Sequence, residues 1–290
     1  MISLMLITSY SCTKTKVERL GVFDPFEDDD TPKDNFGSVV YFNEQSNDIV
    51  LINSATSVTS VIASNISEVY DLSLSYDKSK IAFINAQYDV VIMDTEGNII
   101  NEIDEPSSIR AVEWASDNTT LVYLYGNQIK KWGGTYPLPQ YIPAVNIGVV
   151  NFSLSINGDL AVSFYAQGVY NYYGMTIIKL DGTEIDIQYN SLPTYISYSN
   201  QNNRFITVFG NDIGDVRGIL TINADNTYSF DNNIFNYYNY ASICADIPYR
   251  VDYKDSGDAN NLYLIKDGEN KLLTDFNNPS QYYLFYDWKQ

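Results

Sequence analysis

Histidine is absent from this chain, cysteine occurs only 2 times, and basic residues number 17 against 36 acidic ones. Each shortage excludes a class of function. Histidine is the commonest metal ligand and the usual general base near neutral pH. Without it there is no Ser-His-Asp or Cys-His relay and no His-ligated zinc site. A net charge of −19 repels a phosphate backbone, so DNA and RNA are excluded as partners, and the charge serves solubility instead. The apolar run Ile2–Ile7 is far too short to span a bilayer. The stretch nearest to a phosphate loop, Gly133-Gly134-Thr135, has no helix pattern after it. The acidic run Glu27–Asp30 lacks the alternating spacing and glycine of a calcium loop and reads as solvated charge. No metal and no cofactor are expected.

What is present points to strands. Apolar residues make up 45% of the chain and tyrosine occurs 26 times. Tyr, Ile and Val suit half-buried strands, and the plentiful Asn, Asp and Gly suit turns. No long window carries helical periodicity, so the chain reads as all-β. The clearest stretch is Asp71–Asn98, where LSLSY, KIAFI and VVIMD are joined by turns. The pattern returns: matching Asp77, Asp117, Asn157, Gln201 and Asp246 gives spacings of 40, 40, 44 and 45 residues. Repeats of this length indicate propeller blades, each a four-stranded antiparallel unit with strands a to d from the hub outward. Tight c–d hairpins are expected at 94–98, 133–135, 181–183, 223–227 and 267–270, where Asp-Gly and Asn-rich pairs supply positive φ.

Both ends of the repeat region look incomplete in complementary ways. Residues 36–64 supply strands b, c and d without an a strand, and Gln281–Trp288 reads as an a strand with nothing after it. Joining them would complete one blade and cover two open sheet edges. The expected architecture is a six-bladed β-propeller over 36–290, with blades at 37–64 plus 281–290, 69–104, 110–143, 149–188, 193–230 and 239–275. Residues 12–35, with Pro25 and Pro32, read as a flexible acidic tether.

Two resemblances follow from these residues. The start, MISLMLITSYSC, resembles the end of a bacterial lipoprotein signal peptide, with 1–11 removed and Cys12 carrying the lipid. The resemblance implies that Cys244 is then the free thiol, and its setting in YASICAD reads as a buried inner strand. The blade at Leu74-Ser75-Tyr76-Asp77, Ile81-Ala82-Phe83 and Ile92-Met93-Asp94 with Glu96-Gly97 resembles the TolB-like, WD-repeat-like propellers. Together with the lipoprotein-like start, it is similar to secreted lipoproteins of Bacteroidetes. The resemblance implies a lipid-anchored propeller in the cell envelope, on the periplasmic or surface side of the outer membrane, and it carries over no catalytic residue.

Function is expected on one face. The a–b and c–d turns emerge together and are short throughout. The b–c and d–a loops emerge on the other face and lengthen in the fourth to sixth blades. Exposed tyrosines offer flat apolar area with a hydrogen-bonding tip, suited to protein or glycan. The expected binding surface is Tyr170, Tyr172, Tyr173, Tyr237, Tyr238 and Tyr240, edged by Asp212, Asp215 and Asp258. The bland alternative is that these tyrosines pack between blades. The expected role is non-catalytic binding or scaffolding of an envelope protein or glycan. A carboxylate-based glycan-active enzyme using Asp71, Glu113 and Asp252, or a purely structural subunit, are the alternatives.

Overall fold

The computed structural model describes residues 37–53, 58–106, 108–140, 147–166, 172–189, 192–199, 204–210, 216–222, 227–231, 249–255, 260–266, 269–272 and 286–289. The expected signal peptide and tether, with Cys12, and the Cys244 segment lie outside these residues.

Among the described residues the chain forms only β-strands, arranged in six antiparallel sheets. The first sheet holds β1 (Ser38–Asn43), β2 (Asp48–Asn53) and β3 (Val58–Ala63). The second holds β4 (Val69–Leu74), β5 (Lys80–Asn85), β6 (Val90–Asp94) and β7 (Ile99–Ile103). The third holds β8 (Ile109–Trp114), β9 (Thr120–Tyr125) and β10 (Gln128–Gly133). The fourth holds β11 (Ile147–Leu154), β12 (Leu160–Ala166), β13 (Tyr172–Ile178) and β14 (Glu184–Tyr189). The fifth holds β15 (Leu192–Ser199), β16 (Arg204–Gly210), β17 (Val216–Ile222) and β18 (Tyr228–Asp231). The sixth holds β19 (Tyr249–Asp255), β20 (Asn260–Lys266) and β21 (Glu269–Leu272). The last strand, β22 (Tyr286–Lys289), returns to the first sheet. It pairs antiparallel with β1, Trp288 opposite Val39 and Asp287 opposite Val40, giving the order β22-β1-β2-β3. The expected joining of the two ends therefore exists as a strand pair.

Among the described residues the third and sixth sheets hold three strands each, not the four expected, and in the third the reason is visible. Residues 135–140 follow its last hairpin without forming a strand. Pro137 and Pro139 have no N–H to give to a ladder, which disfavours a paired strand over this segment. The segment instead plugs inward at Tyr136, which is 4% exposed. The Tyr136 backbone N–H donates to Thr120 Oγ1 at 3.1 Å, and its hydroxyl donates to the Ser155 carbonyl in the fourth sheet.

The cores lie between successive sheets, not within one. The strand KIAFI contributes Ile81 and Phe83 to a core shared with Val40, Phe42, Ile49 and Leu51 of the first sheet. Its alternate residues Ala82 and Ile84 enter a core shared with Val112, Trp114, Leu121 and Tyr123 of the third sheet. The same division recurs in β9, where Val122 and Leu124 face Phe152, Leu154 and Leu160 of the fourth sheet. A further core joins Ala161, Met175 and Ile177 to Ile196, Tyr198 and Phe205 of the fifth. Successive side chains of a strand point to opposite faces. A sheet buried on both faces must therefore read as a continuous apolar run, as IAFI and LVYL do.

The turns keep the repeat in register. Lys78, Asn118 and Gly158 each donate a backbone N–H back to residues 75, 115 and 155, and each has positive φ. In the β6–β7 hairpin Asp94 Oδ1 accepts the N–H groups of Glu96 and Asn98 at 3.1 and 2.8 Å. Gly97 sits there at φ +87°, and a Cβ would lie 2.4 Å from the Ile62 carbonyl oxygen of β3. The Gly97→Ala variant is expected to lose about 2 kcal/mol of stability, from backbone strain plus this clash with main chain. Urea unfolding would show a lower midpoint at unchanged slope, and an unchanged midpoint would contradict the argument.

Candidate functional site

Among the described residues, clustered polar side chains line the seam between inner strands, the face bearing the β1–β2, β5–β6 and β9–β10 turns, and the β4–β5 and β8–β9 turns, where Asp77 and Asp117 cap their own hairpins. At the seam, each inner strand has a paired neighbour on one side only, so its free edge presents backbone N–H groups that need acceptors. Carboxylates and serines of the preceding sheet supply them. Asp287 Oδ2 of β22 accepts the Leu74 N–H at 2.7 Å and the Ser73 hydroxyl at 3.1 Å. Asp71 Oδ2 of β4 accepts the Val112 N–H at 2.9 Å, while its Oδ1 accepts the Leu72 N–H at 3.0 Å. Ser73 Oγ accepts the Trp114 N–H at 3.0 Å. Glu113 of β8 accepts the Ser153 hydroxyl at 3.3 Å and the Leu154 N–H at 3.2 Å.

Asp71 and Glu113, weighed as catalytic carboxylates in the enzyme alternative, are thus engaged by main chain, and each reaches a different sheet. Asp252 lies on β19 opposite Tyr263. Burial drives the Asp71 pKa up to about 7; the Val112 and Leu72 hydrogen bonds pull it down, and the nearby Asp287 pushes it up. Among the described residues, no group of three or more Cys, Asp or Glu is arranged to hold a metal ion.

Of the tyrosine surface expected from the sequence, Tyr172 and Tyr173 open β13, opposite Ala166 and Tyr165 of β12. Tyr170, Asp212, Asp215, Tyr237, Tyr238, Tyr240 and Asp258 lie outside the described residues. The structure does bring together two other clusters on the same face. This face is tied together by the main chain: Ile66 N–H donates to the Asn47 carbonyl, and Ile109 N–H to the Tyr88 carbonyl.

The first cluster surrounds Lys130 on β10. Its ammonium lies 3.9 Å from the centroid of the Tyr125 ring and 3.1 Å from each carboxylate oxygen of Glu105. The Tyr123 hydroxyl donates to Glu105 Oε1 at 2.8 Å. That hydrogen bond, and then Lys130, hold the Glu105 pKa below its usual range. The Lys130–Glu105 contact is an ion pair. Arg110, nearby on β8, turns its guanidinium to the Gly126 carbonyl and Asn127 Oδ1 in the β9–β10 turn.

The second cluster lies one sheet earlier. Tyr70 and Tyr88 stack with centroids 4.5 Å apart and planes 4° from parallel. Tyr70 retains its proton well above the usual tyrosine range, first through a hydrogen bond with Tyr88 and then through one with Glu68. Glu68 in turn stands close enough to Glu44 to help raise the Glu44 pKa, after burial, the larger cause. Tyr88 is 39% exposed and has φ +66°. Its counterpart in the β1–β2 turn is Asn47, at φ +58°. Both turns are capped alike: Asn43 Oδ1 accepts the Gln45 N–H, and Asn85 Oδ1 accepts the Gln87 N–H. Asn tolerates the left-handed region, whereas a bulky residue there is an outlier. The sequence reading passed over NAQYD because the loop is short; the signal it held was a tyrosine where the turn calls for Asn or Gly.

No protein-family model and no curated protein matches the chain. Solved structures do. TolB from Acinetobacter baumannii is similar at 12% identity and a TM-score of 0.59, over 94% of this chain and 69% of that one. A protein of unknown function from Bacteroides caccae is similar at 12% identity and a TM-score of 0.55, over 86% and 98%. The β-propeller domain of Cps50 (Swd1) from Myceliophteria thermophila is similar at 13% identity and a TM-score of 0.54, over 86% and 88%. At these identities the likeness concerns the fold alone: antiparallel sheets of three or four strands in a β-propeller arrangement.

Proposed function

We propose that this chain is a closed six-bladed propeller on a lipid-anchored tether, binding or scaffolding a protein or glycan of the cell envelope without catalysing a reaction. Six successive sheets and the β22–β1 pair support closure. The observation that carries the non-catalytic reading is the seam, where Asp71, Glu113 and Asp287 accept main-chain N–H groups of the next sheet. A general acid or base needs a carboxyl group free to meet substrate. The raised pKa of Asp71 is what favours the alternative of a glycan-active enzyme. Its burial accounts for that shift, against the pull of two backbone hydrogen bonds that engage the carboxylate in the seam.

Binding is assigned to the face with the longer loops, with Tyr172 and Tyr238 as the aromatic residues expected from the sequence. The test is a glycan array together with crosslinking to isolated envelope proteins, using wild type and the Tyr172→Ala/Tyr238→Ala double variant. Retention by wild type and loss of about tenfold or more in the variant would support the surface. Equal retention would remove it, and turnover of any arrayed glycan would replace the non-catalytic reading. Mass spectrometry of the mature N-terminus tests the anchor: diacylglyceryl on Cys12 is expected, and an unmodified Met1 would refute it.

A further inference from the structure

The Lys130 cluster shows which chemistry this face uses on a cation: an aromatic ring, a carboxylate beside it, and a second tyrosine hydroxyl fixing that carboxylate. The Tyr70–Tyr88 cluster has the same parts one sheet earlier. Two rings are stacked, Glu68 is tied to the Tyr70 hydroxyl, and Glu44 stands close by. It differs in that the contacts joining these four side chains involve no lysine or arginine of the described residues. Glu68 adds to the cost of ionising Glu44, and a cation arriving between them would offset it. The surroundings add to the attraction. Asp89 is raised by burial and then by Asp104 and Glu102, so the same face carries further carboxylates within a chain of net charge −19.

We propose that Tyr88 and Tyr70, with Glu68 and Glu44, form a docking site for a basic side chain presented by a partner protein, arginine in preference to lysine. The preference follows from shape. Tyr88, being 39% exposed, offers a ring to which a planar guanidinium can stack while its fork meets a carboxylate edge; an ammonium can do only one of these well. The positive φ of Tyr88 places a large ring where the equivalent turn has Asn47. The site thus commits to a basic segment of a protein, not to a neutral glycan. It rests on the binding reading of this face, but on a different sector from the Tyr172–Tyr238 surface.

The test uses the intact chain and fluorophore-labelled acetyl-Gly-Arg-Gly-Arg-Gly-amide, with its lysine and citrulline counterparts, by anisotropy at about 0.15 M salt. The arginine peptide is expected to bind about tenfold tighter than the citrulline peptide and more tightly than the lysine one. Glu68→Gln and Tyr88→Asn are each expected to weaken it by about fivefold or more. Tyr88→Asn keeps the turn compatible with its backbone, and an unchanged circular dichroism spectrum and thermal midpoint confirm that the fold is intact. Asp181→Asn, an exposed acid in the β13–β14 turn on the opposite face, is expected to leave binding unchanged. Equal weakening by Asp181→Asn would mean unspecific attraction to an acidic chain and would overturn the proposal. So would wild-type affinity in both site variants, or no difference between arginine and citrulline. The Tyr172→Ala/Tyr238→Ala variant should bind the arginine peptide as wild type does, so that failure of one surface is read separately from failure of the other.

Discussion

Trp114→Ala is expected to lower the unfolding free energy by about 3–5 kcal/mol, the usual range for deleting a fully buried indole. Trp114 ends β8 and is 1% exposed. It packs with Ala82, Ile84, Val90 and Ile92 of the second sheet and with Leu121 and Tyr123 of its own. Its removal therefore opens a cavity between two sheets, where neither can collapse without moving its neighbour. The backbone N–H of residue 114 would still reach Ser73 Oγ, so the loss is one of packing and not of the seam. Lys80, whose ammonium is 5.6 Å from the ring centroid, also loses a cation–π partner. Trp114→Phe separates the contributions. The Trp114 Nε1 is buried without a hydrogen-bond partner among the described residues, so phenylalanine gives up area but also relieves an unmet donor. A cost of about 1–2 kcal/mol is expected for it. Chemical denaturation with far-ultraviolet circular dichroism measures both, and equal losses for Phe and Ala would contradict the packing argument.

The second large effect depends on pH. In the native chain Asp71 keeps its proton up to about pH 7, whereas in the unfolded chain an aspartate releases it near 4. Between these values the native state binds more protons than the unfolded state. Unfolding free energy must therefore fall as pH rises through this window, and the cost is complete above it. The ceiling is about 4 kcal/mol, reduced to roughly 2 by the solvent that a half-buried group retains. Glu44, Asp89 and Asp159 are also raised and act in the same sense. Asp77, Asp94, Asp117, Asp181 and Glu105 are lowered. Their stabilisation is present above their unfolded values and is lost as pH falls. Stability should therefore peak at mildly acidic pH, about 4.5–5.5. Asp71→Asn should flatten the descent between pH 5 and 8, so that its difference from wild type changes by about 2 kcal/mol across that range. Parallel curves for the two proteins would show that Asp71 is not the group responsible.

These effects bear on how much of the molecule could be read beforehand. The strands were legible because burial on both faces forces runs such as IAFI and LVYL, and the c–d turns because their glycines supply the positive φ found at Gly97, Gly133 and Gly182. The pairing of the last strand with β1 was legible from two incomplete ends. That residues 135–140 form no strand is written in Pro137 and Pro139. The roles of Asp71 and Glu113 were not legible. Sequence places them on inner strands but does not tell which sheet's main chain each will meet; only the packed seam does. The Tyr70–Tyr88 cluster was missed for a related reason. It combines residues from two turns, one connection and one strand, all in or beside short loops.

The pairing of β1 with β22 also sets a timetable. All six residues of β1 are buried in the finished fold, yet the strand that covers one of its edges ends at Lys289. At about 5–20 residues per second, a ribosome needs roughly ten to fifty seconds to make the chain between them. For that interval the first sheet waits with the main chain of Val39 and Val40 uncovered along one side. Among the six sheets the first begun is thus the last to be completed, and the growing chain carries an open sheet edge until β22 has been made.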